Sequence, residues 1–168
     1  MSDRVDRLIA SWQAELPEAL GPTSELVKRV LLLAGDLDAA TRRELPELGL
    51  TTAEFDVLVG LRRSGAPYRL KPSELGRSLL LSSGGTSNII TRLTSRGLVR
   101  RESDPDDGRG TLIVLTEAGR ELAESAVLAN SAAHAEVFAA LPEDTLKAAT
   151  DALREVFAAL DKKPTRRP

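Results

Sequence analysis

The sequence predicts a mainly α-helical protein with a small β-hairpin. Residues 72–80 and 86–96 each show helical spacing, and small polar residues that favour a turn separate them. Two β-prone segments, 98–101 and 111–115, follow directly. Apolar residues recur at helical spacing on both sides of this central region. Helix, turn, helix and hairpin in this order outline a winged helix-turn-helix, a fold in which the second helix enters a DNA major groove.

The helix-turn-helix is marked by its proline and glycine residues. Pro72 suits the first helical turn, where a missing N–H costs no hydrogen bond. The small residues at 82–85 predict a turn that caps the next helix, which we place from about residue 86. Ile90 and Leu93 share one face of that second helix, and Gly97 is placed to end it.

The hairpin is indicated by two short strands around a polar stretch. Residues 102–110 are nearly all charge, proline and glycine, so we predict a turn or a projecting loop there, with Arg109 near its tip. Tyr68-Arg69-Leu70 is a candidate third strand of the same sheet.

Three helices are predicted before this region. The first covers 3–15 and has one apolar side, formed by Val5, Leu8, Ile9, Trp12 and Leu16. After a connector at 17–23, a second helix capped by Thr23 or Ser24 ends near residue 49. The run 51–54, Thr-Thr-Ala-Glu, is a capping box that opens a third helix to residue 63.

Two helices are predicted after the hairpin. Thr116 caps an alanine-rich helix that extends to about residue 139, and Pro142 starts another with apolar positions at 146, 149, 153, 156 and 160. We interpret the terminal helices as a dimerisation domain; an ordinary bundle within one chain is the alternative. The expected organisation is 1–49 N-terminal helices for dimerisation and ligand, 50–116 DNA-binding domain, 117–161 C-terminal dimerisation helices and 162–168 disordered tail.

Charge is distributed unevenly along the chain. Residues 62–109 hold ten Lys and Arg against five Asp and Glu, a net charge of +5, whereas the remainder holds 13 basic and 20 acidic residues. A basic centre in an acidic chain indicates a phosphate-binding surface. The alternative is a solvated charged face without a partner.

Composition excludes several classes of protein. The 168 residues contain no run of apolar residues long enough to span a bilayer and no apolar leader, so we expect a cytoplasmic protein. Without cysteine and with a single histidine, the chain offers no disulfide and no His- or Cys-based metal site, and we expect no cofactor. It has no G-x-S-x-G elbow or Walker loop, and His134 suits a surface or interface better than a catalytic base. An enzyme is therefore disfavoured, and a helical protein-interaction module is the remaining rival.

A series of short motifs resembles the MarR family of bacterial transcription regulators. In order they are LTTAEFDVL at 50–58, LG at 75–76, SGGTSN at 83–88, RL at 92–93, GLVRR at 97–101, DGR at 107–109 and LTEAG at 115–119. Each is weak alone, but together they cover residues 24–123 densely. The resemblance implies a homodimer whose two winged domains bind a palindromic double-stranded DNA operator, most often as a repressor.

The second helix and the hairpin supply the candidate DNA contacts. Short polar side chains opposite the apolar face can reach base edges, residues at the helix start can bind phosphate, Arg96 can hold the backbone, and Arg109 can enter the minor groove with Asp107 orienting it. The full candidate set is Ser83, Thr86, Ser87, Asn88, Thr91, Arg96, Asp107 and Arg109. Many relatives carry arginine where this chain has Ile89, so specificity does not transfer from them.

Within the family, the chain resembles the urate-responsive branch, which has an extra N-terminal helix. That resemblance implies a small anionic ligand, urate or a related compound, held by Trp12, Asp56, Arg63 and Arg92. Asp56 and Arg63 are seven residues apart and so project from one helix face. An Asp56–Arg92 ion pair would hold the second helix in its DNA-binding pose until ligand displaced it. The alternative is a packed Trp12 with purely structural ion pairs.

Overall fold

The fold was analysed in a computed structural model that describes residues 2–78, 83–105 and 107–161, excluding the side chains at 78, 83, 84, 108 and 109. The chain divides into two compact units, Met1–His134 and Ala135–Pro168. The expected tail, 162–168, lies outside the described residues.

Helices dominate the described chain, and a small sheet lies among them. The helices are α1 Arg4–Glu15, α2 Ser24–Glu44, α3 Thr52–Arg63, α4 Pro72–Ser78, α5 Ser83–Ser95, α6 Glu117–Val137 and α7 Glu143–Asp161; the strands are β1 Arg69–Leu70, β2 Val99–Asp104 and β3 Asp107–Leu115. No helix in the described ranges has both the length and the apolar character needed to cross a membrane.

Helix α1 begins as predicted, through a cap that also attaches it to α2. The Asp3 carboxylate accepts hydrogen bonds from the backbone N–H of Val5 and Asp6 at 2.7 and 2.9 Å, which completes a capping box. Arg29 of α2 then pairs with both carboxylates, at 2.9 Å to Asp3 and 2.5 Å to Asp6. Val5 is buried, but Leu8 and Trp12 on the same predicted face remain 37% and 41% exposed.

The two ends of α2 differ from the prediction in detail. Thr23 holds the N-cap position, yet neither it nor Ser24 caps the helix; the Ser24 hydroxyl accepts from Gly21 N–H instead. At the other end a 3-10 turn, Leu45–Leu48, replaces the last α-helical turn, because Pro46 has no N–H for the α-helical pattern. Gly49, at φ 62°, ends the turn in the left-handed region that glycine tolerates.

The core lies where α3, α4, α5 and α6 meet the sheet. The predicted capping box of α3 is confirmed, since Thr51 Oγ1 accepts from Glu54 N–H and the Glu54 carboxylate accepts from Thr51 N–H at 2.9 Å. The largest side chains that are fully buried among the described residues are Leu45, Val57, Leu58, Leu61, Leu75, Ile90, Leu93, Val99 and Ile113.

Helix α5 starts earlier than predicted. Residues 83–85, expected to form a turn, belong to its first turn, while 79–82 lie outside the described residues. Backbone hydrogen bonding of the helix tolerates two adjacent glycines when neighbouring helices bury its face. Its predicted end is confirmed, because Gly97 has φ 70° and its N–H bonds to the Thr94 carbonyl.

The sheet is antiparallel, in the order β1-β3-β2, and the third strand predicted at residues 68–70 is present as β1. The wing strands are longer than predicted: β2 reaches Asp104 and β3 starts at Asp107, so most of the expected loop 102–110 lies within the two strands. Strand β1 pairs only with Ile113 and Val114 of β3, so from Leu112 towards the hairpin turn the described part of the wing is a ribbon of two strands, β2 and β3. Such a ribbon is held by backbone hydrogen bonds and needs no apolar side chains. A strand prediction that relies on apolar, β-prone residues therefore misses it.

A polar cluster joins α6 to α2. Thr41 Oγ1 donates to Asn130 Oδ1 at 2.7 Å and lies 2.9 Å from His134 Nε2, which is 3.2 Å from the Leu37 carbonyl. The His134 ring nitrogen therefore lies within hydrogen-bonding distance of both Thr41 and the Leu37 carbonyl of α2. His134 is thus half-buried and structural rather than a surface residue.

The second unit contains α7, whose apolar residues face outward. No residue of Glu143–Asp161 is buried, and Leu146, Leu153, Val156, Phe157 and Leu160 are 37–62% exposed. These residues recur at helical spacing and so form one apolar stripe.

Two helical glycines provide a matched test of packing. A Cβ at Gly119 would lie 1.9 Å from the Leu98 carbonyl oxygen, whereas a Cβ at Gly35 would meet nothing within 4 Å. We expect Gly119→Ala to lower the free energy of unfolding by at least about 2 kcal/mol, because backbone must move. Gly35→Ala should raise it by about 1 kcal/mol through helix propensity. Urea denaturation of both variants measures the difference, and equal stabilities would contradict the close approach of α6 to Leu98.

Candidate nucleic-acid interface

The exposed side of α5 carries short polar side chains. Ser87, Asn88 and Thr91 are exposed, whereas Ile90 and Leu93 on the other side are buried. The Thr91 hydroxyl donates to the Ser87 carbonyl at 2.9 Å, so its lone pairs stay available as acceptors. The Asn88 amide forms no hydrogen bond with any residue that the structure describes, and it presents both donor and acceptor to solvent.

Two α5 positions correct the sequence interpretation. Thr86 is only 2% exposed, because the earlier helix start places it on the core stripe one turn before Ile90. This burial gives no support to the predicted phosphate contact through its hydroxyl. Ile89 is 6% exposed and belongs to the core, so it contributes apolar packing where many relatives carry arginine. The side chain of Ser83 lies outside the description.

The arginines of α5 converge on a buried carboxylate. Glu54 is 5% exposed, and its Oε1 lies 3.4 Å from Arg96 Nη1 and 3.8 Å from Arg92 Nε. The predicted Asp56–Arg92 pair is therefore wrong: the arginine reaches the carboxylate at the start of α3 instead. Sequence reasoning missed Glu54 because the capping box already accounted for it.

The two α3 carboxylates differ in electrostatic surroundings. Burial opposes ionisation of Glu54, but hydrogen bonds from Thr51 and the charges of Arg92 and Arg96 outweigh it and hold the pKa of Glu54 below its usual range. Burial alone raises the pKa of Asp56, which forms no ion pair within the described residues. The charge that balances the α5 arginines is thus on Glu54.

The wing is attached to the helix-turn-helix through a second buried carboxylate. Asp104, at the end of β2, has a side chain only 4% exposed and lies 2.8 Å from Lys71 Nζ, just before α4. Opposite it, a Cβ at Gly110 would come within 2.8 Å of Asp104 Cβ, so glycine is needed there. This pair connects the wing to α4, and only the glycine opposite it could have indicated it in the sequence.

The predicted wing-tip residues lie at the start of β3. Asp107 is exposed and pairs with Asp104 across the hairpin. Arg109 lies in the strand, but its side chain is outside the described residues, so its orientation by Asp107 stays a prediction.

The four predicted ligand residues are spread over three helices. Trp12 of α1 is 41% exposed and lines a pocket with Leu20, Thr23, Ser24, Val27 and Lys28, none of which belongs to the predicted set. Arg63 is exposed near the end of α3, and Arg92 is held by Glu54. Neighbouring Arg62 bonds Glu124 at 2.8 Å and lies over the Tyr68 ring, which fixes α3 against α6.

Comparison with known proteins identifies the family to which this architecture belongs. Residues 48–110 match the model of the MarR family. The regulator PecS of Dickeya dadantii is 33% identical over 119 residues, covering 68% of this chain and 69% of PecS. The chain belongs to the MarR family. Its winged helix-turn-helix, predicted from sequence, is thereby confirmed.

Solved structures of the family share the fold. Apo MarR from E. coli superposes with a TM-score of 0.71 at 26% identity, covering 78% of this chain and 95% of MarR. CouR from Rhodococcus jostii RHA1, solved with p-coumaroyl-CoA bound, gives a TM-score of 0.63 at 29% identity, covering 80% and 91%. PecS, the relative that shows the family, is an HTH-type transcriptional regulator.

The wing attachment is testable without DNA. In Lys71→Met, the buried Asp104 loses its cation, so amide hydrogen exchange across 99–115 should accelerate roughly threefold or more. Lys147→Met, on α7, is the matched control because Lys147 is exposed and pairs with no described residue. Identical exchange in the two variants would show that Lys71 does not hold the wing.

Proposed function

We propose that this chain is a dimeric, DNA-binding transcriptional regulator, acting as a repressor at a palindromic operator. The observation that carries the proposal is the division of α5 into a buried apolar side and an exposed polar one. Ser87, Asn88 and Thr91 would read base edges in the major groove, while Arg96 would contact the backbone. Because its target is DNA, the proposal implies a cytoplasmic location.

The terminal helices support the dimer. The apolar stripe of α7 is exposed along its length, and Leu26, Val27 and Leu31 of α2 are 45–60% exposed. Isolated apolar surface of this extent favours association. A two-fold dimer would place two copies of α5 about 34–36 Å apart, the spacing of successive major grooves.

Arg109 is proposed to enter the adjacent minor groove from the wing. The longer strands of the wing and its attachment through Asp104 support a rigid projection. An arginine in the narrow minor groove gains from its strong negative potential.

DNA recognition by α5 is tested with Asn88→Ala. Using a duplex selected from a random pool by the wild-type protein, we expect binding to weaken by about 1–3 kcal/mol, because the amide loses its base contact. Ser125→Ala, an exposed polar position on α6, should bind as wild type. Fluorescence anisotropy at several salt concentrations also gives the number of phosphate contacts, since each contributes a slope of about −0.9. Salt-independent or absent binding by the wild type would instead indicate a protein-interaction module.

A small anionic ligand, urate or a related compound, is proposed to release the DNA. Its candidate residues remain Trp12 with its pocket, Asp56, whose pKa is raised by burial, Arg63 and Arg92. The bound p-coumaroyl-CoA in CouR shows that a relative of this fold holds an anionic aromatic compound. A regulator that ignores small molecules is the alternative.

Calorimetric titration with urate tests this proposal. We expect measurable heat with wild type, weaker binding in Trp12→Ala and displacement of the selected duplex. Trp12→Phe is the control, because it keeps an aromatic ring. Absence of heat and unchanged DNA binding at millimolar urate would favour the ligand-independent alternative.

A further inference from the structure

Glu54 uses its two carboxylate oxygens for different tasks. Oε2 accepts from Thr51 N–H at 2.9 Å and from the Thr51 hydroxyl at 2.8 Å, which caps α3. Oε1 faces Arg96 and Arg92 of α5 at 3.4 and 3.8 Å. One buried side chain therefore connects the start of α3 to the final turns of α5.

Capping alone does not require this arrangement. Glu74 accepts from Lys71 N–H at 2.7 Å in the same way at the start of α4, and Glu74 is exposed. A single oxygen satisfies such a cap. The cap therefore does not explain why Glu54 is buried or why its second oxygen, Oε1, faces the arginines. The contact with those arginines explains both.

The spacing along α5 links this contact to the DNA-facing surface. Asn88 and Arg92 lie on one row of α5 at an interval of four residues. Arg96 directly follows the last residue of the helix and continues this row, because its N–H bonds to the Arg92 carbonyl at 3.1 Å. Burial of Ile90 and Leu93 sets the orientation of α5, and holding Arg92 and Arg96 limits the rotation about the helix axis that remains, and with it the direction of Asn88. A Cβ at Gly49 would lie 3.7 Å from Arg96 Nη2, so this guanidinium also sits against the turn that precedes α3.

The negative charge also restrains the arginines themselves. Without Glu54, two cations four residues apart would repel each other and remain free to reach any phosphate. Phosphate contacts carry no sequence information, whereas the orientation of α5 determines which bases are read.

We propose that Glu54 is a positioning residue for DNA recognition: it holds Arg92 and Arg96 so that α5 presents its polar face in one orientation, and it thereby favours specific over non-specific binding. This inference rests on the proposed function. It assigns the role to the capping carboxylate of α3 rather than to Asp56.

The test compares Glu54→Gln with Glu74→Gln in the full chain. Glutamine keeps an oxygen for the Thr51 cap but removes the charge. Anisotropy gives Kd for the duplex selected by wild type and for a scrambled duplex of equal length and composition. The specificity ratio is the Kd for the scrambled duplex divided by the Kd for the selected duplex. We expect this ratio to fall about tenfold in Glu54→Gln, equal to 1.4 kcal/mol, with binding to the scrambled duplex unchanged or tighter. In Glu74→Gln the ratio should stay at the wild-type value.

Several outcomes would overturn the proposal. An unchanged ratio in Glu54→Gln, or equal weakening on both duplexes, would show that Glu54 is merely structural. If Glu54→Gln does not fold at 25 °C, Glu54→Asp replaces it: the charge remains, but the shorter side chain cannot span Thr51 and the arginines, and the same fall in ratio is expected. Failure of both variants to fold would also overturn the positioning role. Salt-independent wild-type binding would instead reject the proposed function itself.

Discussion

Burial of one side of α5 governs the arrangement of the rest of the DNA-binding region. Thr86, Ile90 and Leu93 pack into the core formed by α3, α4 and the sheet, so the polar side of the helix has no freedom to turn inward. The same core buries Ile89, which leaves the outer surface to small hydrogen-bonding side chains and two arginines. Apolar burial sets the position of the helix, and the ion pairs with Glu54 act on the rotation that remains.

Two buried carboxylates add ionic contacts between elements that also meet around the apolar core. Glu54 reaches from α3 to α5, and Asp104 reaches from the wing to Lys71 before α4. Each places a negative charge next to cations of the basic region 62–109. Such a charge lowers the attraction of the protein for phosphate in general, but it orients the neighbouring cations. The orientation of the binding surface determines which DNA sequence is read.

The sequence was most informative where a pattern had one structural solution. The capping box at Thr51, the stop at Gly97 and the apolar pair Ile90 and Leu93 were predicted correctly, because each depends on local geometry. Strand ends in the wing were missed, since backbone pairing there involves charged residues that resemble a loop. Periodicity also could not reveal which carboxylate meets Arg92: Glu54 and Asp56 are two residues apart, and only the packing of α5 on α3 selects between them.

The attachment of α1 has a consequence for handling the protein. Only Val5 of this helix is buried, and the ion pairs that hold it to α2 join Asp3 and Asp6 to Arg29 and Arg4 to Asp36, all on the surface. Mobile ions screen such surface pairs effectively. Buffers with enough salt to remove nucleic acid from the protein during purification therefore also weaken the attachment of α1 to α2. A fusion tag joined immediately before Asp3 would disturb this attachment further.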